Sequence, residues 1–261
     1  TFQLPPAITR INQYAFNQCS SLKGSLIIPD TVTQINANAF AGCSGFTSLR
    51  LPRSIATIGI LAFNGCSGFK GDLIVATTGR LSIGQSAFDG CTGLDGEVTI
   101  YCTPNSIGNN AFSNLPNIKR INYYGSSFSN SGINVFEGSA TNNIEFCSVF
   151  DNETFFGIDK TGATQMSDFS FNYDSVSKQA TIKNGKCALL ADNNAQIPTT
   201  TSYNDEQYTV VALDPFSFSF ITEIIELSLP EGIQNIERGT FLGSSGFIGD
   251  LTLPNSITTI G

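Results

Sequence analysis

Apolar residues return along this chain at a nearly fixed interval. Ala-Phe recurs at Ala15-Phe16, Ala39-Phe40, Ala62-Phe63, Ala87-Phe88 and Ala111-Phe112, so the phenylalanines lie 24, 23, 25 and 24 residues apart. Five residues before each stands an isoleucine (Ile11, Ile35, Ile58, Ile83, Ile107), and six after each another apolar residue (Leu22, Phe46, Phe69, Leu94, Ile118). An apolar-x-apolar step then closes each set: Leu26/Ile28, Leu49/Leu51, Leu73/Val75, Val98/Ile100 and Ile121/Tyr123, with Pro29 and Pro52 directly after two of them. The same register reappears as Leu213, Phe218, Ile224 and Leu227/Leu229-Pro230, then as Ile236, Phe241, Phe247 and Leu251/Leu253-Pro254, and Ile260 opens another. Chance clustering would not hold four positions in phase over so many repeats.

The apolar-x-apolar step has the period of a β-strand, so two side chains point inward and the middle one points out. A strand so short is not stable alone. Stacking equivalent strands about 4.8 Å apart pairs their backbones and builds one continuous apolar interior. The Ala-Phe section is predicted to form a tight helical turn, in which Ala permits close approach and Phe fills the wide part of the coil. Asn, Gly and Ser turn the corners.

Between Cys147 and Val210 the period fails. Residues 151–168 are rich in Asp, Asn, Gly and Thr, with Phe155-Phe156 as an apolar pair, and read as a linker or an irregular closing loop. Phe169, Phe171 and Tyr173 alternate, Asp174-Ser175-Val176-Ser177 offers a turn, and Ala180-Thr181-Ile182 a return strand, which is a hairpin signal. Tyr203 to Val210 reads as a second hairpin turn that feeds the next array. An open strand edge needs a cap, so this insert reads as a cap or joint, although a bulky insertion in one unbroken stack is the rival arrangement.

Thr33-Gln34-Ile35-Asn36-Ala37-Asn38-Ala39-Phe40-Ala41-Gly42-Cys43, followed by Leu49-Arg50-Leu51-Pro52, resembles the BspA-like (Treponema-type) leucine-rich repeats. The likeness spans about residues 1–146 and 208–261. Val135-Phe136 departs from Ala-Phe, and the repeats near 120–146 lack the Pro and the Cys. The resemblance implies a leucine-rich-repeat solenoid, a right-handed β/α superhelix of short parallel strands, mainly β and loops, with a β-hairpin insert between two repeat arrays. The expected division is a first array over 1–150, a linker over 151–168, a hairpin cap over 169–210 and a second array over 211–261.

Composition narrows the function. Only 13% of residues are charged, against about 25% in ordinary domains, and the net charge is −8, so nucleic acid is not an expected partner. No apolar run approaches the length of a membrane span. Thr1 to Pro5 carries no basic segment or hydrophobic stretch, and both ends fall inside a repeat, so the chain reads as a fragment whose targeting signals lie elsewhere.

The 261 residues contain no histidine, which removes Ser-His-Asp and Cys-His mechanisms and every His-containing zinc site. Cys19, Cys43, Cys66 and Cys91 each stand three residues after a repeat Phe. They read as a ladder of small buried thiols rather than a metal or disulfide cluster, because stacked positions have parallel Cβ vectors. Cys102, Cys147 and Cys187 lie off the ladder and are taken as free thiols, with a pairing among them left open. Asp205/Glu206 and Glu223/Glu226 sit on turns or before strands and read as solvated surface, not as a facing carboxylate pair. The segment Gly157 to Thr164 has phosphate-loop glycine spacing, but Ala163 stands where the lysine is required. Catalytic residues, metal and cofactors are therefore expected to be none. Tyr123, Tyr124, Tyr203 and Tyr208 are loose candidates for a carbohydrate platform.

The outward middle residue of each strand remains: Ile27, Arg50, Ile74, Thr99, Asn122, Glu145, Ser228 and Thr252. Such a ladder is rigid, extended and variable without cost to the core. The resemblance implies a non-enzymatic surface or secreted adhesion module, located outside the cell, whose partners are host or neighbouring-cell surface or matrix proteins. The alternatives are a passive spacer and an accessory glycan-binding region of a larger surface protein.

Overall fold

The computed structural model describes residues 2–77, 79–125, 132–140, 144–147, 154–155, 158–159, 164–166, 169–185, 196–219, 221, 225–245, 247–248 and 252–261. The chain divides into two compact units, residues 1–146 with 150–164, and residues 147–149 with 165–261.

In the first unit five coils each contribute two strands among the described residues, and the coil of Phe136 contributes one. A two-residue strand forms at the isoleucine: β1 (Arg10–Ile11), β3 (Gln34–Ile35), β5 (Thr57–Ile58), β7 (Ser82–Ile83) and β9 (Ser106–Ile107). A longer one runs into the apolar-x-apolar step: β2 (Gly24–Ile27), β4 (Phe46–Arg50), β6 (Leu73–Val75), β8 (Glu97–Ile100), β10 (Arg120–Tyr123) and β11 (Ile144–Cys147). The odd strands β1 to β9 pair in order and in parallel, Ile11 against Ile35, Ile58, Ile83 and Ile107 in turn. Strand β2 pairs β4, and β6, β8, β10 and β11 form a second parallel ladder. The expected stack of short parallel strands is present. The ladder at the isoleucine was not foreseen, because two residues are too few to show an alternation.

The Ala-Phe segments are not helical turns, and none of the described residues forms a helix. Their N–H groups point alternately along and across the stack. Tyr14, Phe16 and Gln18 donate to the carbonyls of Ala37, Ala39 and Ala41 on the next coil at 3.1, 2.8 and 2.7 Å, while Asn17 and Cys19 bond back within their own coil. The pattern recurs from Phe40 to Ala62, Phe63 to Ala87, Phe88 to Ala111 and Phe112 to Val135, each at 2.8 Å. It requires left-handed backbone two residues before and two after each Phe, as at Asn38 (φ 56°) and Gly42 (φ 73°). Asn and Gly occupy many of these places because they adopt that conformation at least cost. This backbone satisfies its hydrogen bonds between coils and thereby fixes their spacing.

That spacing brings the phenylalanines face to face. Phe16, Phe40, Phe63, Phe88, Phe112 and Phe136 form a spine with centroid separations of 5.1, 5.5, 5.2, 5.2 and 5.2 Å and interplanar angles of 13° or less. Phe40, Phe63, Phe88 and Phe112 are fully buried. Each stacked pair adds about 0.5–1.5 kcal/mol beyond the area it buries. Val135-Phe136 keeps the register, with Val135 buried in the place of alanine. Glycine is required where coils touch: a Cβ on Gly68 would lie 2.1 Å from the Ser44 carbonyl oxygen and 2.5 Å from that of Phe46.

Short strands β12 (Thr154–Phe155) and β13 (Ile158–Asp159), an antiparallel pair, and β14 (Thr164–Met166) fall in the stretch expected to be a linker. In the second unit β15 (Ser170–Asp174) and β16 (Gln179–Asn184) form the first expected hairpin, and β17 (Thr200–Tyr203) and β18 (Glu206–Leu213) the second. Strand β16 pairs β18 in parallel. Strand β18 then pairs β20 (Asn235–Ile236), which pairs β22 (Thr259–Ile260), so the hairpins are continuous with the isoleucine ladder of the repeats that follow. A parallel pair of β19 (Ile225–Glu226) and β21 (Phe247–Ile248) forms the companion ladder. The core holds Ala180, Ile182, Val210, Leu213, Phe218 and Ile236, with Phe241 packed against it 5.8 Å from Phe218.

Candidate binding surface

The strand-middle residues form true ladders. Ile27 lies opposite Arg50, and Ile74, Thr99, Asn122 and Glu145 follow one another in register. Their exposure is unequal. Ile27 is 54% and Ile74 41% exposed, and Arg50 stands half-buried between their coil positions. One Arg50 amine nitrogen reaches both carboxylate oxygens of Asp30, at 3.1 and 3.2 Å. A surface pair of this kind contributes about 0–1 kcal/mol, so its effect is to fix where the guanidinium stands. Ser228 and Thr252 are exposed in the second unit.

Thr99 and Asn122 depart from expectation: both are buried, at 6% and 1% exposure. Asn122 Nδ2 donates to Glu97 Oε2 at 2.7 Å and to Thr99 Oγ1 at 3.0 Å. The Asn122 Nδ2 group is spent between strands while its Oδ1 is buried without a hydrogen-bond partner, and neither residue offers an accessible contact. The Glu145 side chain lies outside the described residues. Among the described side chains, what remains of the face in the first unit is Ile27, Arg50 and Ile74.

The cysteine ladder is a hydrogen-bonded device. Cys43, Cys66 and Cys91 point their thiols at the carbonyls of Phe16, Phe40 and Phe63 on the preceding coils, at 3.0, 3.0 and 3.2 Å. Cys19, Cys43, Cys66, Cys91 and Cys102 form no disulfide bond; Cys187 and the side chain of Cys147 lie outside the described residues. Burial pushes the Cys43 thiol up to about 11 and Cys66 to about 12, and holds Cys91 well above the ordinary thiol range. A protonated thiol can donate and is a poor nucleophile or metal ligand, which suits a structural role. Ser139 and Ser244 take the same position and donate to the carbonyls of Phe112 and Phe218 at 2.8 and 2.7 Å. Each also accepts a backbone N–H, from Leu115 and Ile221 respectively.

Other chemical candidates resolve into surface structure. Glu206 accepts from Lys178 Nζ at 2.5 Å and from the Tyr208 hydroxyl at 3.1 Å, which lowers its pKa. Glu223, the side chain of Glu226 and most of the segment Gly157 to Thr164 lie outside the described residues. Among the described residues no group of three His, Cys, Asp or Glu side chains is placed to hold a metal ion, and no helix is long and apolar enough to cross a membrane. Of the tyrosines, Tyr123, Tyr124 and Tyr208 are buried and Tyr203 is 50% exposed.

The repeat matches the family model for BspA-type leucine-rich-repeat regions, in six copies over residues 1–74, 73–182 and 194–261. The chain belongs to the BspA-type leucine-rich-repeat family. Two solved structures are similar to this BspA-type chain. One is a leucine-rich cell-surface protein from Faecalibacterium prausnitzii A2-165, 18% identical, with 97% of this chain and 82% of that one covered and a TM-score of 0.43. The other is a leucine-rich-repeat protein from Bacteroides ovatus ATCC 8483, 16% identical, covering 99% and 73%, with a TM-score of 0.30. A search among curated proteins finds no match.

Proposed function

We propose that this BspA-type chain is a non-enzymatic recognition module that acts outside the cell, at a surface, and binds a protein partner through the outward strand face of its first unit. The observation that carries the reading is the face itself: Ile27 and Ile74 stand exposed at equivalent coil positions, with Arg50, anchored by Asp30, between them. Apolar side chains held in the open by a rigid ladder, with an oriented cation among them, suit contact with another protein. The family supports the surface assignment, since BspA-type repeats are typically interaction modules there. The partner class is a surface or matrix protein of a host or neighbouring cell.

The test is binding of the labelled chain to intact epithelial cells and to immobilised matrix glycoproteins over a concentration series. Saturable binding weakened by Arg50→Glu supports the reading. Binding that stays linear with concentration on every surface tried favours a passive spacer.

A further inference from the structure

The second unit carries an open groove of about 500 Å³ that the repeat does not produce. One wall is Phe169, Phe171 and Tyr173, alternating on β15 and the residue before it; the other includes Pro198, Thr200 and Thr201. Tyr203 stacks on Tyr173 with centroids 4.7 Å apart and planes 15° off parallel, and being half exposed it carries the aromatic surface out to solvent. Tyr208 meets Tyr173 edge-on at 5.0 Å and holds that ring upright. The Tyr173 hydroxyl lies 3.4 Å from Thr201 Oγ1, so one aromatic wall and one hydroxyl wall meet across the groove.

Three properties of this lining select a ligand. No lining side chain carries a formal charge, and Lys178 and Glu206, beside Tyr208 and Tyr203, are engaged with each other, so a phosphate or carboxylate meets no unpaired cation and an ammonium group no unpaired carboxylate. The rings offer flat apolar faces; Tyr173 and Thr201 share one hydrogen bond, which leaves one donor and their remaining lone pairs, together with the Thr200 hydroxyl, for a ligand. A ligand that uses both has an apolar face and a dense rim of groups that donate and accept. The volume lies within the range of about 300–1,000 Å³ usual for small-ligand sites. We propose that this groove binds a neutral oligosaccharide, with a pyranose ring laid on the Tyr203–Tyr173 stack and its hydroxyls turned toward Thr200 and Thr201. A proline-rich peptide also favours aromatic grooves, but its backbone presents carbonyl acceptors only and leaves the acceptor capacity of the hydroxyl wall unused. The groove shares no residue with Ile27, Arg50 and Ile74, so the two readings stand or fall separately.

The experiment is calorimetric titration of the full chain with neutral hexasaccharides (mannohexaose, cellohexaose and maltohexaose), with polygalacturonate, and with a decaproline peptide. The expected result is binding of at least one neutral hexasaccharide and neither of the others, weakened roughly tenfold by Tyr203→Ala and retained by Tyr203→Phe. Thr201→Val supplies a second, nearly isosteric variant at a half-buried position, whose folding is checked by circular dichroism, and it too weakens binding. The proposal is overturned if no neutral sugar binds at about millimolar concentration, if binding survives both Tyr203→Ala and Thr201→Val, or if decaproline or polygalacturonate binds instead.

Discussion

The Cys66 thiol lies 3.0 Å from the carbonyl oxygen of Phe40, one coil earlier, and that same oxygen accepts the backbone N–H of Cys43 at 3.1 Å. One carbonyl thus ties its own coil closed and ties it to the next. Ser139 likewise donates to the Phe112 carbonyl, while the backbone N–H of Leu115 bonds to the Ser139 hydroxyl. The position needs a small donor, and sulfur is not essential. Cys66→Ser should therefore keep the fold and lose no more than about 1 kcal/mol, while Cys66→Ala should cost more, through the lost bond and the space it leaves. Denaturant midpoints of the two variants check this. Equal losses would show that the thiol only fills volume.

Buried thiols held neutral also predict an alkaline limit to stability. The folded state raises Cys43 to about 11 and Cys66 to about 12 from an ordinary value of 9.0, so the folded protein keeps protons that the unfolded chain releases first. The resulting stabilisation is complete below pH 9 and is lost as pH rises through 11 to 12. A Cys43→Ser/Cys66→Ser/Cys91→Ser variant should lose less stability than the parent between pH 9 and 11. Thermal melts across that range measure the difference.

Two nearby glycines separate backbone strain from crowding. Gly65 has φ 68°, and a Cβ there meets nothing closer than 4.0 Å; Gly68 has no such φ, but a Cβ would lie 2.1 Å from a backbone oxygen. Gly65→Ala should cost about 1–2 kcal/mol, the penalty of one left-handed residue. Gly68→Ala must push two coils apart and should lower the unfolding midpoint further than Gly65→Ala does.

The aromatic spine predicts a steep local contrast. Phe63 is fully buried between Phe40 and Phe88, and Ile60, three residues earlier, is 50% exposed. Phe63→Ala should cost about 3–5 kcal/mol and Ile60→Ala about 0.5 or less. Chemical denaturation followed by tyrosine fluorescence distinguishes them.

Much of this architecture was legible because a stacked coil repeats its requirements. The Phe spine, the cysteine positions and the in-register strands each write one residue type into every period. Three things were not legible. The isoleucine ladder has strands of two residues, which leave no alternation to read. The Ala-Phe segment has the small-residue spacing of a helical turn, yet its alternating left-handed residues, Asn38 and Gly42 among them, turn its N–H groups toward the next coil. Strand alternation assigns a side chain to a face but is silent on whether that face is reached by solvent, so Thr99 and Asn122 were expected on the open surface. The groove in the second unit escaped because its walls come from segments some thirty residues apart, outside the period.

The outward strand face is the centre of the functional account, and a paired substitution isolates it. Ile27→Asp/Ile74→Asp places two carboxylates on that face, whereas Ile60→Asp/Ile133→Asp places two at exposed isoleucines on the Ala-Phe side of the coil. Cell-binding isotherms of the two variants, with circular dichroism as the check on folding, should show the first weakened roughly tenfold or more and the second unchanged. Equal binding by both variants and the parent, or loss confined to Ile60→Asp/Ile133→Asp, would contradict it.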